Sequence, residues 1–215
     1  MARIVLVHGT ATTGAVWDPV RALLADLDTI APTRPSSGSL DDELQWLAGF
    51  AKGAIVVGMS GGATLCLALA ASTRPAAAII AHEPAVGSLL PTLLDPVAAA
   101  FSEGGAGGLG AALYGPSWKS SMMADADAVA RDLAMFRAFE PAQPRNPATL
   151  VTTGIDSPPS RHLAAARLSA VFGYDTTTLP GGHFVAQDQP AAIARLIRAV
   201  AANLPSDPSV GPHAE

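Results

Sequence analysis

Ala54-Ile55-Val56-Val57-Gly58-Met59-Ser60-Gly61-Gly62-Ala63-Thr64-Leu65 decides how this chain is read. The first four residues have the length and the β-branched character of a buried strand. From Gly61 to Ala71 the residues are mostly Ala and Leu, good helix formers. Ser60 therefore falls on a sharp strand-to-helix turn, with Gly58 and Gly62 two positions to either side. A side chain on such a turn is thrust outward, and the flanking positions must lack bulk so that strand and helix can approach. The helix N-terminus behind the serine favours negative charge developing nearby. Gly-x-Ser-x-Gly alone is a common accident; in a strand–turn–helix setting it marks an exposed nucleophile.

Outward from this stretch, apolar strands and amphipathic helices alternate. Ile4–Val7 reads as a buried strand, followed by the small-residue loop His8–Gly14. Val16, Val20, Leu23, Leu24 and Leu27 recur at helical spacing, which predicts a helix from about Ala15 to Leu27. Thr29–Ala31 is a short strand. Asp41-Asp42-Glu43 opens a helix carrying Leu44, Leu47 and Phe50. Ala76–Ala81 is a further strand and ends in His82-Glu83-Pro84. The alternation predicts an α/β fold, a mostly parallel twisted sheet with helices on both faces. It is interrupted from 85 to 146, where helical stretches (Leu89–Phe101, Lys119–Phe139) flank the glycine-rich patch Gly104–Gly110. That segment is expected to be a helical lid inserted into a core made of residues 1–84 and 147–204. Strand, helix, strand and helix then resume at Ala148–Thr153, Ser160–Val171, Asp175–Leu179 and Gln189–Asn203. The polar, proline-rich tail 205–215 is expected to be disordered.

Composition narrows the partners. Of 215 residues 49% are hydrophobic and 14% charged, as in a single domain with a large core. The net charge is −5, and the 13 basic residues are not clustered, so neither nucleic acid nor an anionic membrane is indicated. The partner expected is a small-molecule substrate; oligomeric state is left open. Cys66, the only cysteine, can form no internal disulfide and no cysteine metal cluster, and reads as an apolar filler in the helix after Ser60. No metal-ligand pattern is present. No secretory leader pattern precedes the strand at Arg3–Val7, and no apolar run approaches a membrane span, so a cytoplasmic protein is expected.

A serine hydroxyl is a poor nucleophile at neutral pH and needs an adjacent base, itself oriented by an acid. His183, in Pro180-Gly181-Gly182-His183-Phe184 between the last strand and the last helix, is the best base. His162 lies on a predicted helix, His213 in the tail, and His8 and His82 read as structural. For the acid, Asp156 stands just past a strand end in Thr153-Gly154-Ile155-Asp156-Ser157-Pro158, where working residues of an open α/β sheet gather. Glu83 also ends a strand and is the rival, but Ser60…Asp156…His183 is the chain order expected of this architecture. The oxyanion of an acyl transfer needs two preorganised N–H donors, assigned to Gly61 and Thr10.

Taken together, His8-Gly9 with Trp17 downstream, Gly58-Met59-Ser60-Gly61-Gly62, Gly154-Ile155-Asp156-Ser157 and Gly182-His183-Phe184 resemble an α/β-hydrolase-fold serine hydrolase, nearest to the small lidded esterases. The resemblance runs to about Asn203. It implies a Ser/Asp/His triad, no cofactor, and a pocket between sheet and lid. Serine at position 60 argues against the epoxide hydrolases and haloalkane dehalogenases of this fold, which resemblance says use aspartate there. Met59, Trp118, Met122, Met123, Phe136 and Phe184 are the candidate pocket residues, for a modest, mostly uncharged or aromatic acyl group on an ester, lactone or thioester. The rival functions are cleavage of a C–C bond in a β-diketone-like compound, and a ligand-binding sensor that retains the triad without turnover.

Overall fold

The computed structural model describes residues 2–123, 125–146 and 148–204; the tail 205–215 and His213 lie outside them. Six strands, β1 (Ile4–Val7), β2 (Thr29–Ile30), β3 (Ile55–Met59), β4 (Ala78–His82), β5 (Thr149–Gly154) and β6 (Asp175–Leu179), form one sheet in the order β2-β1-β3-β4-β5-β6. Every pairing is parallel.

The apolar runs in the sequence are continuous rather than alternating because both faces of the sheet are covered. Successive residues of β1 enter opposite cores: Val5 and Val7 one, Ile4 and Leu6 the other. The first core is closed by α2 (Leu40–Ala51), α3 (Gly61–Ala71) and α6 (Pro159–Phe172), through Leu47, Leu65 and Leu168. The second is closed by α1 (Asp18–Leu23), α7 (Val185–Asp188) and α8 (Pro190–Asn203), through Val20, Val185 and Ile193. Among the central strands β1, β3 and β4 every residue is buried, whereas β6, an edge, exposes four of its five. Ser39 caps α2, its Oγ accepting from Asp42 N–H at 3.3 Å, so the acidic first turn anticipated at Asp41–Glu43 sits where the helix dipole favours it.

The long crossover from β4 to β5 holds no strand among the described residues. Its two helices are α4 (Asp95–Tyr114) and α5 (Ala126–Arg137). α4 is two helical stretches that meet inside the glycine-rich patch: at Gly105 (φ 58°, ψ −150°) the backbone leaves helical geometry, and a second stretch, not anticipated from the sequence, runs on to Tyr114. Helix also begins later than anticipated, at Asp95 and Ala126, because single 3₁₀ turns occupy Gly87–Leu89, Pro91–Leu94 and Ser120–Met122. The helix anticipated from Ala15 is likewise a 3₁₀ turn, Gly14–Trp17, followed by the short α1. No helix among the described residues is long and apolar enough to cross a membrane.

Candidate active site

In a parallel sheet all strand carboxyl ends lie on one side, and the candidate site is built there. Ser60 follows β3 directly and holds φ 57°, ψ −122°, a conformation L-residues seldom adopt. The turn is tight on every side. A Cβ added at Gly62 would stand 2.2 Å from Val7 O, and one at Gly58 2.3 Å from Gly62 O. Gly61 is the first residue of α3, so its N–H has no intrahelical partner.

His183 follows β6, and its Nδ1–H donates to Glu83 Oε2 at 2.7 Å. Glu83, just past β4, is buried, and its φ is 53°. Its other oxygen accepts from Gly154 N–H at 2.8 Å and from the Ser157 hydroxyl. Asp156, expected to orient the histidine, does not reach it: its side chain is exposed, and its backbone N–H donates to Gly181 O at 2.9 Å. The carboxylate that meets His183 is thus the rival, Glu83, and not the expected Asp156. The reason is geometric. Ser157 turns inward at the end of β5 to support Glu83, and the intervening turn points Asp156 to solvent.

The electrostatics keep these groups in defined states. Burial would raise the Glu83 carboxyl, but the hydrogen bond and charge of His183, then the charge of His82 and the bond from Ser157, hold it well below the usual carboxylate range. Burial lowers the His183 imidazole, and the Arg161 cation lowers it further against the opposing pull of Glu83. With Nδ1 donating, Nε2 carries the lone pair, and it is buried with no partner among the described residues. His82 stays neutral, lowered to about 4 chiefly by burial. Its Nε2–H donates to Gly182 O at 3.1 Å and Nδ1 accepts from Thr152 Oγ1 at 2.9 Å. His82 thus anchors the His183 loop. His8, lowered to about 3 by burial and by Arg34, accepts from Arg34 N–H at 2.8 Å. Both histidines have the structural settings anticipated for them.

The crossover covers the site. Tyr114, at the end of α4, donates to Thr10 O at 2.8 Å, stacks on His183 at 5.5 Å, and packs on Phe184 at 4.5 Å. Burial pushes its hydroxyl up to about 12, against a smaller pull from its contact with Ser60. Trp118 Nε1–H donates to Ala11 O at 2.8 Å. These two side chains fix the loop that carries Thr10. A deeper tie is Arg34, fully buried, paired with Glu43 of α2 at 2.9 Å and with Asp132 of α5. It also lies over the Phe136 ring at 5.6 Å.

A cavity of about 360 Å³, counting its mouth, opens on Ser60, Thr10, Gly61 and Glu83; its walls are Val97, Leu109, Leu113, Leu133 and Phe136, with Arg161 beside them. Of the six candidate pocket residues, only Phe136 lines it. Met59 and Phe184 are core residues, and Trp118 is engaged with the Thr10 loop. Met122 packs against the core beneath α1 and α8, and Met123 lines a neighbouring cavity with Arg34 and Asp132. Arg161 escaped the sequence reading, as did the polar role of Tyr114, which reads there only as an apolar lid residue. Tyrosine on an apolar helix looks like packing, and an arginine in a helical first turn looks like solvent-facing charge.

A parallel sheet with a serine on a strained strand-to-helix turn, and a carboxylate-bound histidine after its last strand, defines an α/β-hydrolase arrangement. The Alpha/beta hydrolase family model matches residues 4–196, and the chain belongs to that family. Solved structures agree on the fold. An alpha/beta hydrolase from Sphaerobacter thermophilus is 24% identical, with 93% of this chain and 92% of that one covered and a TM-score of 0.68. The enol-lactonase of Burkholderia xenovorans is 15% identical over 94% and 92%, with a TM-score of 0.69. The thioesterase domain of the curacin biosynthetic pathway is 20% identical over 92% and 91%, with a TM-score of 0.61. No functionally curated protein matches the chain.

Proposed function

We propose that the chain is a serine hydrolase cleaving a carboxylic ester, lactone or thioester, with Ser60, His183 and Glu83 as its triad. The observation that carries this reading is the His183 Nδ1–H to Glu83 bond of 2.7 Å, which leaves a bare Nε2 lone pair on the side of the sheet where Ser60 turns outward. Ser60 Oγ attacks the acyl carbon while His183 Nε2 takes its proton, and Glu83 stabilises the resulting imidazolium. The Gly61 and Thr10 N–H groups donate to the oxyanion. Collapse expels the alcohol or thiol, which receives the proton from His183, and water repeats the cycle on the acyl-enzyme. Residues 85–146 act as the lid, with the acyl group held against Leu109, Leu133 and Phe136.

The test is intact mass after treatment with a fluorophosphonate. Wild type gains one adduct; Ser60→Ala gains none and His183→Ala gains it far more slowly. An adduct that persists in folded Ser60→Ala refutes the assignment.

A further inference from the structure

Two buried arginines sit near this site, and they are held very differently. Arg34 donates through Nε to His8 O at 3.0 Å, through Nη1 to Glu43 at 2.9 Å, and through Nη2 to Asp132. Arg161 has far less. Its Nη1 reaches Glu83 O at 3.4 Å, at the limit of a hydrogen bond, and its Nε stands 3.7 Å from Glu83 Oε2. That carboxylate is already engaged by His183, Gly154 and Ser157. A guanidinium has five N–H donors and cannot shed its charge. With only 9% exposure, Arg161 loses most of its hydration and recovers little within the protein.

Its place in the chain adds to the cost. Arg161 is the third residue of α6 and lies in its first turn, where the helix dipole disfavours a cation. Neither helix stability nor the Glu83 contacts account for a buried cation at this position. Arg161 does line the cavity at Ser60, whose remaining wall is mostly apolar. The nearby Thr64 hydroxyl is already committed, donating to Ser60 O at 3.3 Å and accepting from Ala85 N–H at 2.9 Å.

We propose that Arg161 is the anion-recognising residue of the pocket, and that the substrate is an ester, lactone or thioester whose apolar body carries a free carboxylate. This rests on the serine-hydrolase reading for the reaction, though not for the binding. A carboxylate matches the planar fork of a guanidinium, and one buried cation among apolar walls suits a monoanion rather than a phosphate dianion. Binding also feeds back on the base. The Arg161 cation lowers His183, so a carboxylate on its free edge relieves that repulsion and makes Nε2 a better proton acceptor when the right substrate is present.

The experiment compares p-nitrophenyl half-esters of glutaric, adipic and pimelic acids with the p-nitrophenyl esters of pentanoic, hexanoic and heptanoic acids. In wild type, kcat/KM for at least one half-ester exceeds that of its neutral partner by tenfold or more. Arg161→Gln abolishes that ratio, whatever it does to both substrates through Glu83, and Arg161→Lys retains part of it. A residue that only balances Glu83 would lower both members of each pair together and leave the ratio unchanged. An absent preference in wild type, or an unchanged ratio in Arg161→Gln, overturns the proposal. Calorimetry of Ser60→Ala, with and without Arg161→Gln, against hexanoate and hexanol separates this question from the reaction: hexanoate binds more tightly than hexanol, and Arg161→Gln removes the difference. Equal affinities overturn the proposal even where fluorophosphonate labelling supports the triad. If labelling fails while hexanoate binds preferentially, the anion site stands and the reaction does not.

Discussion

Exchanging Glu83 for glutamine tests the corrected acid directly. The glutamine amide is nearly the shape of the carboxylate, but it has one acceptor oxygen instead of two. Oε1 accepts from Gly154 N–H at 2.8 Å and from Ser157, so the amide oxygen belongs there. The NH₂ then faces His183 Nδ1, where the carboxylate now accepts at 2.7 Å. Two donors cannot share that contact, so the imidazole shifts its proton from Nδ1 to Nε2. The Gly154 and Ser157 hydrogen bonds are kept, and the cost in stability is about 1–3 kcal/mol, from the lost charge-assisted bond to His183. The catalytic cost is larger, because a protonated Nε2 cannot accept the Ser60 proton. Losing the orienting carboxylate in a triad is worth about 10⁴ in kcat. Asp156→Asn, at an exposed turn, changes activity by no more than about twofold. The assay is turnover of p-nitrophenyl hexanoate, with each variant's folded fraction measured by circular dichroism. Glu83→Gln within tenfold of wild type, or a loss of 10³ in Asp156→Asn, refutes this reasoning.

Other consequences follow from the buried charges and close backbone contacts. His8 and His82 titrate at about 3 and about 4 in the folded state against 6.5 when unfolded, so the unfolded chain binds more protons below pH 6.5 and stability falls as the pH drops through that window. At pH 5 each of these two histidines costs about 2 kcal/mol, and guanidinium unfolding at pH 7 and pH 5 should differ by at least about 4 kcal/mol, the lowered His183 adding in the same direction; the depressed Glu83 adds its own loss only at lower pH. A flat profile would contradict the neutral, buried assignments. Asp132→Ala leaves Glu43 as the remaining carboxylate on Arg34 and should cost about 3 kcal/mol in the same assay, the lower end for breaking a buried pair. Tyr114→Phe removes the donor to Thr10 O, and should lower kcat more than KM while lowering stability by about 1 kcal/mol. Gly62→Ala drives a Cβ to 2.2 Å from Val7 O, a backbone atom that cannot yield, and should lose at least about 3 kcal/mol of stability.

Much of this was legible from residue order. The central strands β1, β3 and β4 signalled themselves through short apolar runs, and Ser60 through its glycines, because local steric demands are written in local sequence. The acid was not legible, since Glu83 and Asp156 both follow strands and chain order says nothing of which turn faces inward. That depends on Ser157, whose hydroxyl bonds Glu83 and fixes the β5 turn with Asp156 outward. Pocket membership fared worse for the same reason. Met59 and Phe184 are apolar residues beside the motifs, yet the sheet packing turns both into the core. The second stretch of α4 was obscured because glycines weaken helix propensity; the helix does break at Gly105, and packing of Leu109 and Tyr114 holds the stretch beyond it.

The position of the acid also bears on the chemistry of the pocket. In the sheet order β3-β4-β5-β6, Glu83 after β4 is one strand from Ser60, whereas Asp156 follows β5, two strands away. With the carboxylate supplied from β4, the segment after β5 has no acid to deliver to His183. Its residues take other tasks: Gly154 N–H and Ser157 hold Glu83, and one helical turn on, Arg161 comes to the cavity wall. An aspartate pointing inward from that segment would meet Arg161 and neutralise it. Moving the acid to β4 instead leaves the guanidinium with only long contacts to Glu83 and an unfilled donor edge on the cavity. In the proposed triad and anion site, the acid after β4 and the guanidinium of Arg161 therefore have one structural origin. Installing the acid after β5 in a Glu83→Gln background should accordingly reduce half-ester preference whether or not it restores turnover.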